Sequence, residues 1–373
     1  MGINRYIFIF FALIGHSISA QQAVIVQDNE HFKKDCKVLI MLPFSIGTID
    51  QYRLRDKMLD YYEGVEMAIE DLNSLGIKMS VEIVDTKGDS LEVINILSNP
   101  DYQNLDLIIG PIIDKELVEV EKFCSIYNIP LVSPLRYYAK KTGGDFPLIN
   151  LIANDTIQYK YIGYQTAKAF KNYQVIVLDE QMNTIKGFAS RNFKIGYEEY
   201  SRKNCKVIDG KIKTISNSWN QKDSLLIFYT GKNSNSCNNG ISNTKNSKWV
   251  VMGPADWIDI DRVDYNVFNG VYFYDAYSVP HNDTAYKQIR KNFRTNYGGD
   301  PQRYTLIGYD QFLFLGTALA AFESRFLNNV MNKKFNYLHT NFQLVPRGNL
   351  IENSGINFFY YQDYQFYKAY WRY

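Results

Sequence analysis

The chain is poor in the residues that do most enzymatic chemistry. Its 373 residues include four histidines and four cysteines, and no C-x-x-C pair or Cys/His cluster gives any of them the spacing of a metal site. His31, His281 and His339 are the histidines beyond residue 20, and none sits in a recognisable motif. The G-x-S-x-G, H-E-x-x-H and G-x-x-x-x-G-K-S/T patterns are missing. The signatures of serine hydrolases, zinc peptidases and P-loop enzymes are therefore absent, and no cofactor or metal is expected. An excess of charge of one sign is lacking too, since 41 Lys+Arg offset 39 Asp+Glu for a net +2. Interspersed signs give no reason to expect nucleic acid as a partner. Beyond the N-terminus every hydrophobic run is broken by charge or Asn within about ten residues, short of the roughly 20 that span a bilayer. No repeat of fixed period is present, which argues against a solenoid.

The N-terminus has its own pattern. Arg5 is followed by an apolar run over residues 6–14, then Ser17-Ile18-Ser19-Ala20 before Gln21. This reads as a secretory signal peptide over residues 1–20, and no Cys follows the cleavage point to make it a lipoprotein signal. A soluble periplasmic product with no later membrane span is expected. In that oxidising compartment Cys36, Cys124, Cys205 and Cys237 permit two disulfides. Cys205 and Cys237 are expected at opposite edges of a sheet and unbonded, whereas Cys36 and Cys124 are better placed to pair.

Within residues 37–43 an unbroken apolar run follows Lys37 and is ended by Pro43, the pattern of a strand buried on both faces. Met58, Tyr61, Val65, Ala68, Leu72 and Leu75 then recur at helical spacing until Gly76. Strands at 79–84, 105–109 and 129–132 alternate with helices at 91–97 and 115–127. A second series follows a break at 152–155: helices at 157–170 and 188–202, and strands at 174–178, 207–212, 225–229, 249–252 and 271–274. Helices at 283–297 and 304–326 come next, and the aromatic stretch 356–370 reads as an edge hairpin turning at Gln362-Asp363. Such alternation means βαβ units and an α/β fold of parallel sheets flanked by helices. The expected division is residues 36–151 plus 275–345 in one Rossmann-like lobe and 152–274 in a second. The hairpin within 346–373 is assigned to neither.

Several segments, in this order, resemble the type I periplasmic binding proteins, the family of leucine-binding and receptor ligand-binding domains. They are Val38-Leu-Ile-Met-Leu-Pro-Phe44, Tyr62-Glu-Gly-Val-Glu-Met-Ala-Ile69, Val81-Glu-Ile-Val-Asp-Thr86, Asp106-Leu-Ile-Ile-Gly-Pro111 and Asn128-Ile-Pro-Leu-Val-Ser-Pro134. Asp275-Ala-Tyr-Ser278 and Gly308-Tyr-Asp310 extend the likeness. The nearest resemblance is to the Bacteroidetes group in which this module follows LysM repeats, although no LysM-like segment is present. The resemblance implies two lobes joined by a multi-strand hinge, no enzymatic activity, and a small polar ligand such as an amino acid or peptide held between them. It implies as partner a membrane transporter or, by kinship with activators of penicillin-binding proteins, a cell-wall synthase contacted directly.

In parallel α/β sheets ligands sit beyond the carboxyl ends of the strands. Here those ends offer Phe44, Ser45, Gly110, Pro111, Ser133 and Pro134 from the first lobe, and Tyr229, Asp256, Trp257 and Asp275 from the second. Gly110 lets backbone approach closely, Ser133 offers a hydroxyl, and Trp257 is a candidate aromatic wall. Each also reads as an ordinary strand-ending residue, and Trp257 equally as core. The acids at 256, 259, 261 and 264 lack the spacing of a calcium loop.

Overall fold

The computed structural model describes residues 35–45, 52–136, 138, 147–179, 187–208, 224–231, 249–259, 270–363 and 365–369. The signal segment, Cys237, the acids at 261 and 264 and most of the polar stretch 231–247 lie outside these.

The first sheet grows outward from β1 (Cys36–Leu42), whose apolar run leaves alternate side chains on opposite faces. Val38, Ile40 and Leu42 pack with Met58, Tyr61, Val65, Phe312 and Leu319 of α1 (Tyr52–Ser74) and α7 (Arg303–Phe322). Leu39 and Met41 pack on the other side, with Val93 and Leu97 of α2 (Ser90–Leu97) and Leu117 and Val120 of α3 (Asp114–Tyr127). Around β1 lie β2 (Met79–Asp85), β3 (Leu107–Ile109), β4 (Leu131–Ser133) and β5 (Leu148–Asn150), all parallel.

The second sheet repeats the plan with β6 (Gln174–Leu178), β7 (Lys206–Ile208), β8 (Leu225–Tyr229), β9 (Trp249–Pro254) and β10 (Gly270–Asp275) in parallel. Its Val177, Phe228 and Met252 pack with Ile162, Phe193 and Tyr197 of α4 (Asp155–Ala169) and α5 (Phe188–Ser201). After β10 come α6 (Thr284–Tyr297), α7 and a short α8 (Phe326–Val330).

Both lobes close their helix pairs with glycine. A Cβ on Gly64 of α1 would lie 1.9 Å from the Thr305 carbonyl oxygen, and one on Gly308 of α7 would lie 2.2 Å from that of Tyr61. In the second lobe Gly163 and Gly196 meet the Phe193 and Lys160 carbonyls at 2.0 and 1.8 Å in the same way. The helix backbones touch at these crossings, closer than any side chain allows.

Three features of the chain's path depart from the sequence reading. The helix expected to reach residue 326 ends at Phe322, where Glu323 takes a positive φ of 51° and a 3₁₀ turn follows. Three unforeseen strands, β11 (Lys334–Asn336), β12 (Asn341–Arg347) and β13 (Leu350–Asn353), join the first sheet. They escaped notice because Asn341, Gln343 and Asn353 break the apolar alternation. The tail over 346–373 is accordingly shared between sheets: β12 and β13 stay in the first, while β14 (Asn357–Gln362) and β15 (Gln365–Lys368) pair antiparallel onto β10 of the second. The chain thus crosses between sheets at 151–154, 276–283 and 354–356.

Cys36 and Cys124 are not a pair. Cys36 shares the α1 face with Val38 and Cys124 lies in the core of the other face, so the sheet separates them. Cys205 is also a buried thiol, and burial pushes its pKa up to about 12 against the pull of Lys194. By length and composition α7 is apolar enough to cross a membrane, contrary to the sequence reading, but 89% of that window is buried inside the first lobe. It is a core helix.

Candidate functional site

The residues that the sequence singled out lie at or just beyond the carboxyl ends of β1, β3 and β4 in the first lobe and of β8, β9 and β10 in the second. Asp85, at the end of β2, holds the first of these loops. Its Oδ1 accepts the Phe44 amide at 2.8 Å, the Ser45 amide at 3.2 Å and the Lys87 amide at 2.9 Å. Burial pushes its pKa up, but these bonds and that of the Ser45 hydroxyl outweigh burial and hold it below the usual carboxylate value. Phe44 is partly exposed and Ser45 is exposed.

Gly110 and Pro111 are buried and joined by a cis peptide. Gly110 has φ +89°, and a Cβ there would lie 2.1 Å from the Met41 carbonyl oxygen, so only glycine fits. Ser133 is buried to 1% exposure, and its hydroxyl donates to the Arg136 carbonyl at 2.5 Å. It fastens its own loop rather than presenting a hydroxyl outward. The Pro134 carbonyl accepts from Gln311 of α7 at 2.8 Å, and Gln311 in turn accepts from the Tyr61 hydroxyl at 3.1 Å. Arg136 is exposed and pairs with Asp114 at 2.6 Å.

In the second lobe Trp257 is a correction. It is fully buried, donates its indole N–H to the Gly231 carbonyl at 3.0 Å, and packs edge-on against Tyr229. Gly253 leaves the room that its ring occupies. Tyr229 is buried as well, and its carbonyl accepts the Tyr274 hydroxyl at 3.0 Å. Asp256 and Asp275 remain at the surface, exposed and partly exposed respectively.

Sequence reasoning missed Tyr159, near the start of α4. Its ring meets that of Tyr274 edge-on at 6.0 Å, and burial foremost, with the nearby charges of Asp155, Asp256 and Asp179, pushes its pKa up to about 12. Those acids, with Asp275 acting on Tyr274, give the carboxyl ends of the second lobe's strands an acidic character. The signal was present in outline, because Asp155 and Tyr159 open the first helix after a crossover.

Behind the cleft the three crossovers are tied together by buried amides. Asn353 donates to the Leu151 carbonyl at 3.3 Å and the Asn341 carbonyl at 3.1 Å, and accepts from the Gln343 and Gly355 amides at 2.9 Å each. Asn357 donates to the carbonyls of Ala276 at 3.3 Å and His339 at 2.7 Å. The Tyr277 hydroxyl accepts the Ala153 amide at 2.7 Å.

No family model matches the chain, and no curated protein matches it in sequence. Solved structures do match its shape. The C-domain of LpoA from Haemophilus influenzae, described as a regulator of PBP1A, aligns with TM-score 0.58 and 13% identity over 90% of this chain and 100% of that domain. A longer LpoA chain from the same organism aligns at 0.59 and 12%, covering 94% of this chain and 61% of its own length. A protein from Rhodospirillum rubrum described as a putative branched-chain amino acid ABC transporter aligns at 0.56 and 11%, over 86% of this chain and 99% of that one. At such identities the likeness establishes the fold alone: the chain has the α/β architecture of two sheet-and-helix lobes that these structures share.

Proposed function

We propose that the chain is an exported, non-enzymatic binding protein that takes a small polar ligand, such as an amino acid or peptide, between its two lobes. The observation that carries this reading is the set of acids at the strand ends of the second lobe: Asp256 is exposed, Asp275 partly so, and the charges of Asp155, Asp256 and Asp179 act on Tyr159. On this reading they are met from the first lobe by the Phe44-Ser45 loop, which Asp85 orders. Carboxylates on one side favour a ligand carrying an ammonium group. Ser45, Phe44, Asp256 and Asp275 are the side chains with surface to offer. Ser133, Tyr229 and Trp257 support the walls from within.

The test is native mass spectrometry of protein purified from its host, followed by the same measurement on Asp256→Asn with Asp275→Asn. A retained small molecule lost from the double variant supports the reading. Protein that is ligand-free after native purification and unresponsive to a panel of amino acids and short peptides sinks it.

A second reading has its own observation. The Ser133 hydroxyl is spent inside its loop, and the LpoA C-domain shares the fold along its full length. On this reading the module contacts a cell-envelope enzyme such as a cell-wall synthase. Copurification with such an enzyme, unchanged in the double variant, would favour it.

A further inference from the structure

The crossover region holds charged groups that neither reading uses. Asp310 of α7, in the first lobe, is fully buried. Its Oδ2 accepts the His339 amide at 2.7 Å and the Thr340 amide at 2.6 Å, while its Oδ1 has no hydrogen-bond partner. Lys368 comes from the other lobe, on β15 at the edge of the second sheet. The residue is partly exposed, and its ammonium donates to the Tyr337 carbonyl of the first lobe at 3.0 Å. The Asp310 and Lys368 charges act on each other, and burial pushes the carboxyl pKa up and the ammonium pKa down.

The surroundings are accounted for. Lys334 and Asp283 also act on Lys368, and Arg303 and Lys368 act on His339. Burial first, and then these cations, push the His339 pKa down to about 3, so this imidazole is neutral. The Tyr337 hydroxyl pairs with the Thr317 hydroxyl at 3.1 Å, and its backbone carbonyl takes the ammonium. An ammonium has three protons to donate, and the unpartnered Asp310 Oδ1 is an acceptor of opposite charge. Two arrangements therefore compete: the ammonium on the Tyr337 carbonyl, as seen, or drawn onto Asp310. Because Lys368 belongs to the second sheet and both acceptors to the first, its ammonium ties the two lobes together in either arrangement.

We propose that Lys368 is an inter-lobe latch whose ammonium, lodged between the Tyr337 carbonyl and Asp310, sets the angle between the two lobes. The latch acts behind the cleft and is independent of what the cleft binds, so its failure leaves the proposed function standing and the reverse also holds.

The test reads inter-lobe distance without any ligand. Spin labels are placed at Lys122 and Glu199, exposed helix positions in the first and second lobes, in a chain carrying Cys237→Ser with its buried thiols left in place. The parent chain should give one narrow distance distribution. Lys368→Met should add a second, longer distance, and Lys368→Arg should restore the narrow one. Asp310→Asn keeps an acceptor for the two amides and removes the charge, so it should shift the distribution in the same direction to a smaller extent. If Lys368→Met unfolds the chain, the Asp310→Asn result decides. Folded variants with the parent distribution, or a parent distribution already as broad as theirs, overturn the latch.

Discussion

A carboxyl group buried without a strong partner makes folding respond to pH in a direction that can be worked out beforehand. Glu116, in the first turn of α3, is fully buried, and neither of its oxygens has a partner. The Thr86 hydroxyl lies beside it without reaching hydrogen-bond geometry, so burial dominates and pushes its pKa up to about 7 from the ordinary 4.5. The folded state therefore binds this proton more tightly than the unfolded state does. Its contribution is fully present below the ordinary value and is lost as pH rises through about 7. Glu116→Gln keeps the shape and removes the ionisation. The urea midpoint of the variant should exceed that of the parent at pH 8 and approach it at pH 5. An equal offset at both values would show that the carboxyl is not titrating between them.

At the scale of elements, the helix pairs decide how well each lobe resists opening. The glycine crossings bring backbone within van der Waals range of backbone, and carbonyl oxygens cannot swing aside as a side-chain tip does. A methyl group at Gly64 or Gly163, about 2 Å from a carbonyl oxygen, must push the helices apart, at a cost of about 1–3 kcal/mol or more. The effect should be local: Gly64→Ala loosens α1 and α7, and Gly163→Ala loosens α4 and α5. Hydrogen exchange by mass spectrometry checks this, with each variant expected to lose protection first in its own pair. Gly76→Ala is a contrast of another kind, since a Cβ there meets nothing within 4 Å and only its φ of +78° resists substitution.

The elements best legible in the sequence were those with one rule to follow. The run Val38 to Leu42 and the 3.6-residue spacing of Met58 through Leu72 needed no tertiary information, because both patterns are local. β12 and β13 could not be found that way. Asn341 and Asn353 sit in them as buried amides whose partners are carbonyls from other crossovers, and polar residues in core positions look like loop until those partners are known. The candidate site was legible to the level of loops. The strand ends were found, but whether Ser133 and Trp257 face outward or inward depends on the Arg136 carbonyl and on the space above Gly253. Neither can be seen in sequence spacing.

For the whole molecule, the decisive fact is that the second lobe is completed by residues from the far end of the chain. β10 has β9 on one side and β14 on the other, and β14 and β15 bring Phe358 and Phe359 into cores where they are 4% and 1% exposed. Cutting the chain after residue 356 removes both aromatics, the ladder on β10, the Asn357 ties to Ala276 and His339, and the Lys368 contact with Tyr337. Two buried phenylalanines alone are worth about 3–6 kcal/mol, against the roughly 5–15 kcal/mol by which a domain is stable. The first lobe keeps its whole sheet, since β11, β12 and β13 all precede the cut. One continuous cluster of apolar side chains does run from Leu42 through Ala153 and Tyr277 to Phe228, linking the lobes. That link is thin, because Ala153, Ala276 and Ile356 supply little area where the chain crosses, so it should transmit only part of the damage. The truncated chain is expected to keep slow amide exchange in β1, β3 and β4 and to lose it in β6, β8 and β9. Limited proteolysis should then cut within 155–275 and spare 52–136. Equal loss of protection in both sheets would mean that the two lobes fold as one cooperative unit and that the crossovers carry more of the stability than their small side chains indicate.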